Sequence, residues 1–111
     1  MTLNDLVILA LTARGILAVG EMPTAEERAW VEGALRRAGQ ELTDYGLGLW
    51  PVEDTPEQFA RPFIQHAAPD FLPSFGQPVE QPELWRKDAR KQIRSIANRG
   101  WQAPAGMPEY F

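Results

Sequence analysis

Any chemistry in this chain has to be built from carboxylates, hydroxyls, arginines and one histidine, His66, because its 111 residues include no cysteine. That excludes a thiol nucleophile, a disulfide framework, thiolate zinc and iron–sulfur clusters. A single imidazole also excludes a two-histidine metal cage and leaves a Ser-His-Asp arrangement poorly supported. Glu26, Glu27 and Glu32 are close in sequence, as the acid/base pair of a glycoside-cleaving site would be. The plainer reading is a helix start: Thr24 and Glu27 have capping-box spacing, and acids there complement the helix dipole. His66 lies beside Ala67 on an otherwise apolar segment and reads as a packing residue, or as a hydrogen-bond donor to a neighbouring loop. Phosphate-binding glycine loops, dinucleotide fingerprints and metalloprotease helices are all missing from the sequence. It therefore reads as non-enzymatic, with no catalytic residue, cofactor or metal expected.

Charge is more informative. The formal net charge is −4, too acidic for a nucleic-acid binder along its whole length. Residues 1–85 carry thirteen acidic and five basic side chains, whereas residues 86–99 carry six basic side chains and only Asp88 as an acid. Within that basic segment Arg86, Arg90 and Arg94 repeat at spacings of four, as do Lys87 and Lys91, so the five stack along adjacent lines of a helix. Three readings are open: a solvated face, a contact with an acidic protein surface, or a helix laid on phosphates. The apolar run Leu6–Leu11 is far shorter than a membrane span and follows no positive cluster, so neither an anchor nor a signal peptide is expected.

Helical signals dominate the elements that must carry these residues. Thr2 and Asp5 open a first helix with the stripe Leu6, Ala10, Ala13 and Leu17, closed near Gly15. Thr24 and Glu27 open a second, with Val31, Leu35, Ala38, Leu42 and Tyr45 on one face and Gly46 at its end. Leu49, Trp50 and Val52 are expected to tuck back from the following loop onto the core. A third helix is expected from Thr55-Pro56-Glu57-Gln58, with Thr55 as cap and Gln58 completing the box. It buries Phe59, Phe63, Ile64 and Ala67, is kinked by Pro62 and is ended or broken by Pro69. A fourth runs from about Pro82 to Asn98 with Trp85, Ala89, Ile93 and Ile96 as its apolar edge. Residues 100–111 cannot be regular helix, yet three aromatics and Met107 separate them from a polar disordered tail. The expected fold is all-α: a small four-helix bundle over residues 1–99, with an extended C-terminal arm over 100–111 for partner binding.

In order and spacing these features resemble the head-to-tail adaptor proteins (connectors, or head-completion proteins) of tailed bacteriophages and gene transfer agents, of the helical tail-accessory type. Asp5-Leu6-Val7 through Gly15-Ile16 resembles the family's first helix. Thr24-Ala25-Glu26-Glu27 through Gly46-Leu47 is similar to its second, and His66-Ala67-Ala68-Pro69-Asp70-Phe71 to the stretch that closes its third. A basic helix and a tail with Met107-Pro108 follow in the same order. Pro62 and the inserted Leu72-Pro73-Ser74-Phe75 depart from the pattern.

The resemblance implies a structural virion protein of the head-to-tail interface, or neck, assembled in the host cytoplasm as a homo-oligomeric ring, commonly of twelve. Such a ring sits under the portal protein, extends the channel through which packaged DNA passes without sequence-specific binding, and offers a platform to tail proteins. It would make Trp101, Met107, Pro108, Tyr110 and Phe111 the portal-binding residues. Arg86, Lys87, Arg90, Lys91 and Arg94 would be inter-subunit or channel-facing charges. Two alternatives are a small helical DNA-binding regulator using the basic helix, and a peptidoglycan-degrading virion protein using Glu27 and Glu32, since lytic activity is attributed to some adaptors.

Overall fold

The computed structural model describes residues 1–100 and contains four α-helices: α1 (Leu3–Ala13), α2 (Ala25–Asp44), α3 (Glu57–Phe71) and α4 (Pro82–Ala97). Short 3-10 turns cover Val52–Asp54 and Leu72–Phe75, and no strand occurs among the described residues. The all-α four-helix fold is thus the one the helical periodicities call for. The expected arm, with Trp101, Met107, Pro108, Tyr110 and Phe111, lies outside the described residues.

Both N-terminal capping boxes form as the spacing requires. The Thr2 hydroxyl accepts from the Asp5 amide while the Asp5 carboxylate accepts from the Thr2 amide, and Thr24 and Glu27 do the same on α2. On α1 the buried face is Leu3, Leu6, Val7, Ala10 and Leu11; Ala13, expected in the stripe, is exposed at the last turn. On α2 the face is Val31, Ala34, Leu35, Ala38 and Leu42, with Tyr45 left half exposed beyond it.

The start of α3 differs from the expectation. Thr55 does not cap the helix: it is fully buried, its hydroxyl donates back to the Val52 carbonyl, and its amide donates to the Met1 carbonyl at 3.0 Å. Pro56 occupies the cap position without a side-chain bond. Thr55 spends its hydrogen bonds on closing the preceding turn and fastening the chain's start to it, so none remains for the helix. Nor does Pro69 end α3, which continues to Phe71 through both Pro62 and Pro69. Each proline loses its own amide from the ladder and crowds the carbonyl four residues earlier, but already has a helical φ. Burial of Phe59, Ala60, Pro62, Phe63, His66, Ala67, Ala68 and Phe71 sustains the helix against that loss.

The core lies between α1, α2 and α3 and is closed by the loop after α2. Leu49 and Trp50 are buried there as expected; the Trp50 ring stacks on Phe59 at 4.5 Å and meets Phe63 edge-on at 5.5 Å. This loop can return so closely because Gly48 has no side chain: a Cβ there would overlap the Thr43 hydroxyl and lie 3.0 Å from the Thr43 Cα. Because backbone sets part of that contact, Gly48→Ala is expected to lower the unfolding free energy by about 1–3 kcal/mol. Urea unfolding of the full chain reads this out as an earlier midpoint at unchanged slope.

Candidate functional site

Helix α4 packs chiefly on α3, and the two run antiparallel: Arg86 faces Asp70 while Arg90 faces His66. Its buried apolar contribution is small, Ala89 and Ile93 alone being fully enclosed, with Trp85 and Ile96 partly so. Polar groups supply much of the remaining attachment.

The deepest of these is Arg90, which is 9% exposed. Its Nη1 lies 3.2 Å from His66 Nε2, and its guanidinium lies flat over the Tyr45 ring, 4.1 Å from the centroid. Arginine only donates, so Nε2 is the unprotonated nitrogen and the ring proton sits on Nδ1. Nδ1 has no hydrogen-bond partner; the nearest acid, Glu41, is 3.8 Å away. Burial, followed by the charges of Arg90 and Arg86, depresses the His66 pKa to about 4. His66 is therefore a neutral acceptor holding an arginine, and the expectation of a donor to a loop is corrected.

One turn earlier Arg86 donates to Glu83 at 2.6 Å and to Asp70 at 3.1 Å. Burial opposes its charge, but the hydrogen bond to Glu83 and the nearby acids outweigh that, and its pKa is raised. The same bond holds the Glu83 carboxyl below its usual range. On the other flank of α4, Gln65 donates to the Trp85 carbonyl and to Asp88, and Gln92 donates to both Asp88 and Gln65. These amides hold the Asp88 pKa down.

The five basic residues expected to act together are thereby divided. Arg86 and Arg90 are engaged within the protomer, and the notion of a uniform outward basic face is corrected for them. Lys87, Lys91 and Arg94 are exposed and form no ion pair among the described residues. Their spacing of four and three puts them on one outward stripe. Of the glutamates weighed for acid/base chemistry, Glu27 is the capping acid of α2, Glu26 is exposed in its first turn, and Glu32 is one turn further on. Glu27 accepts the Thr24 amide at 2.8 Å, so its carboxylate already has a structural task. No His, Asp or Glu cluster able to hold a metal ion occurs among the described residues, and none of their helices is long and apolar enough to cross a membrane.

Sequence reasoning missed the Arg90–His66–Tyr45 contact. Its signal was present: Arg90 is adjacent to Ala89 and three before Ile93, on the flank of the apolar edge. His66 was the one polar residue of its type on the buried face of α3.

The cluster makes stability depend on acidity. The unfolded chain takes up a proton at His66 near pH 6.5, whereas the folded chain resists until about pH 4. Between those values the unfolded state binds more protons, so stability falls as the pH falls, by up to roughly 3 kcal/mol, and levels off below. Urea unfolding from pH 7 to 4 measures it, and His66→Gln should flatten that part of the profile. Arg90→Ala, which strips the buried acceptor of its donor, should cost about 2–3 kcal/mol at pH 7. Compared with known protein families, curated proteins and solved structures, the chain matches none.

Proposed function

We propose that this chain is a non-catalytic structural subunit of the head-to-tail connector type, acting in a virion neck between portal and tail proteins. The observation that carries the reading is the outward stripe Lys87, Lys91 and Arg94, three exposed cations without ion pairs among the described residues, on a chain of net charge −4. Exposed Glu26 and half-buried Glu32, near the start of α2, offer that stripe a partner in a second copy. Different patches on each copy make a heterologous contact, the kind that generates closed rings when the rotation fits.

In this reading Trp101, Met107, Pro108, Tyr110 and Phe111 are the portal anchors, their individual affinity multiplied when many copies bind one ring. The charge stripe bears on subunit contacts or on the DNA channel. The ring of twelve, the virion location and assembly in the host cytoplasm belong to the same proposal.

Charge reversal separates this reading from a DNA-binding regulator. Lys87→Glu, Lys91→Glu and Arg94→Glu together should leave the helical circular dichroism unchanged and abolish the ring seen by electron microscopy and light scattering at low salt. Adding Glu26→Lys and Glu32→Lys to that variant should restore assembly. If the unaltered chain forms no oligomer but binds duplex DNA with a steep salt dependence that the triple variant loses, the regulator reading replaces this one.

A further inference from the structure

Two features of the surface are left without a partner in the protomer. One is the turn between α1 and α2, where Val19 and Met22 are 92% and 64% exposed, the highest values for large apolar residues among those described. The turn is held in one shape. The Glu21 amide donates to the Ala18 carbonyl at 3.1 Å, Gly20 takes φ +89°, and buried Pro23 and the Thr24 cap of α2 follow. A hydrogen-bonded turn thus presents to solvent two apolar side chains and, between them, the exposed acid Glu21, which forms no ion pair among the described residues.

The other is a cleft of about 300 Å³ between α1 and α3. Leu9 and Ala13 of α1 and Ile64 of α3 make it apolar, and Gln92 of α4 walls one side. Two exposed arginines, Arg14 and Arg61, border it. Arg14 lies over the Trp85 ring at 4.7 Å, and neither arginine forms an ion pair among the described residues. An apolar hollow carrying two unpaired guanidinium groups fits an apolar side chain that sits beside a carboxylate.

We propose that the turn Val19–Met22 of one copy seats in the α1–α3 cleft of a second copy, as the apolar anchor of the contact between them. Met22, unbranched and adaptable, fills the hollow against Leu9 and Ile64, and Glu21 meets Arg14 and Arg61. The turn does not occupy its own cleft, since both its apolar residues are exposed and none of residues 19–22 lines it. The inference rests on the charged contact proposed above and supplies what that contact lacks. Exposed ion pairs contribute little by themselves, and a stable interface needs an apolar centre inside its polar rim. The two contacts are continuous on both copies: Gln92 follows Lys91 on α4, and Met22 lies four residues before Glu26. Turn and cleft are different patches, so this contact too is heterologous, and the fixed shape of the turn lowers the cost of seating it.

Because the chain has no native cysteine, mixing two single variants of the full chain tests the seat directly. Met22→Cys and Ala13→Cys, both at exposed positions, are prepared separately, mixed at millimolar concentration and oxidised. The mixed link should form at least tenfold more than that between Met22→Cys and Arg37→Cys, an exposed position on α2. Separately, Val19→Ser with Met22→Ser should leave the helical circular dichroism unchanged and weaken self-association at least tenfold by analytical ultracentrifugation, whereas Met22→Leu should retain it. An unaltered chain that oligomerises while the mixed link stays at the control level, or while the double variant associates as tightly, overturns the anchor and leaves the charged contact standing. An unaltered chain that is monomeric at millimolar concentration overturns both.

Discussion

The arrangement of the fourth helix depends on one contact, the donation from Arg90 to the neutral ring of His66. Helix α4 has too little apolar surface to dock by burial alone, since Ala89 and Ile93 are its only fully enclosed apolar residues. An arginine at the margin of such an interface is costly unless its donors are used. His66 makes it tolerable by offering a lone pair in place of a second positive charge, and Tyr45 covers the guanidinium face. Fixing Arg90 sets the rotation of α4 about its own axis. That rotation in turn places Arg86 on Asp70, Gln65 on the Trp85 carbonyl, and Lys87, Lys91 and Arg94 outward.

Much of the fold was legible because local and long-range demands coincide. Thr2 with Asp5 and Thr24 with Glu27 both satisfy orphan amides with their own neighbours, so spacing alone suffices to find the two helix starts. Thr55 had the same local signature and a different outcome. Its amide and hydroxyl found partners in Met1 and Val52, residues whose proximity only the tertiary structure creates. Pro69 was misread for a related reason: its local cost is real, but the burial of Ala67, Ala68 and Phe71 beside it outweighs it.

The candidate site was legible as a list of residues and not as an arrangement. Five cations at helical spacing look equivalent in sequence, because periodicity tells which residues share a line and not which line meets a partner. The division between Arg86 and Arg90 on one side and Lys87, Lys91 and Arg94 on the other follows from His66 and Asp70, twenty-four and sixteen residues away along the chain. Among the residues drawn inward the side-chain chemistry also fits, although Arg94 stays outward with the lysines. Both residues drawn inward are arginines, whose planar fork can bond an acid or an imidazole and still lie flat on an aromatic ring, whereas both lysines remain in water.

This separation bears on how one short helix can serve two purposes. Charges used to attach α4 to its own protomer are shielded and cannot steer a partner, while charges on the outward stripe add little to protomer stability. Changing the stripe should therefore affect association with the fold intact, and changing Arg90 should affect the fold itself. Acid acts on the attaching set: protonating His66 places a third cation beside Arg86 and Arg90, and the repulsion falls where α4 is attached. Loosening α4 would in turn disturb the outward stripe, since Lys87, Lys91 and Arg94 lie on a face of the helix that Arg90 holds in register.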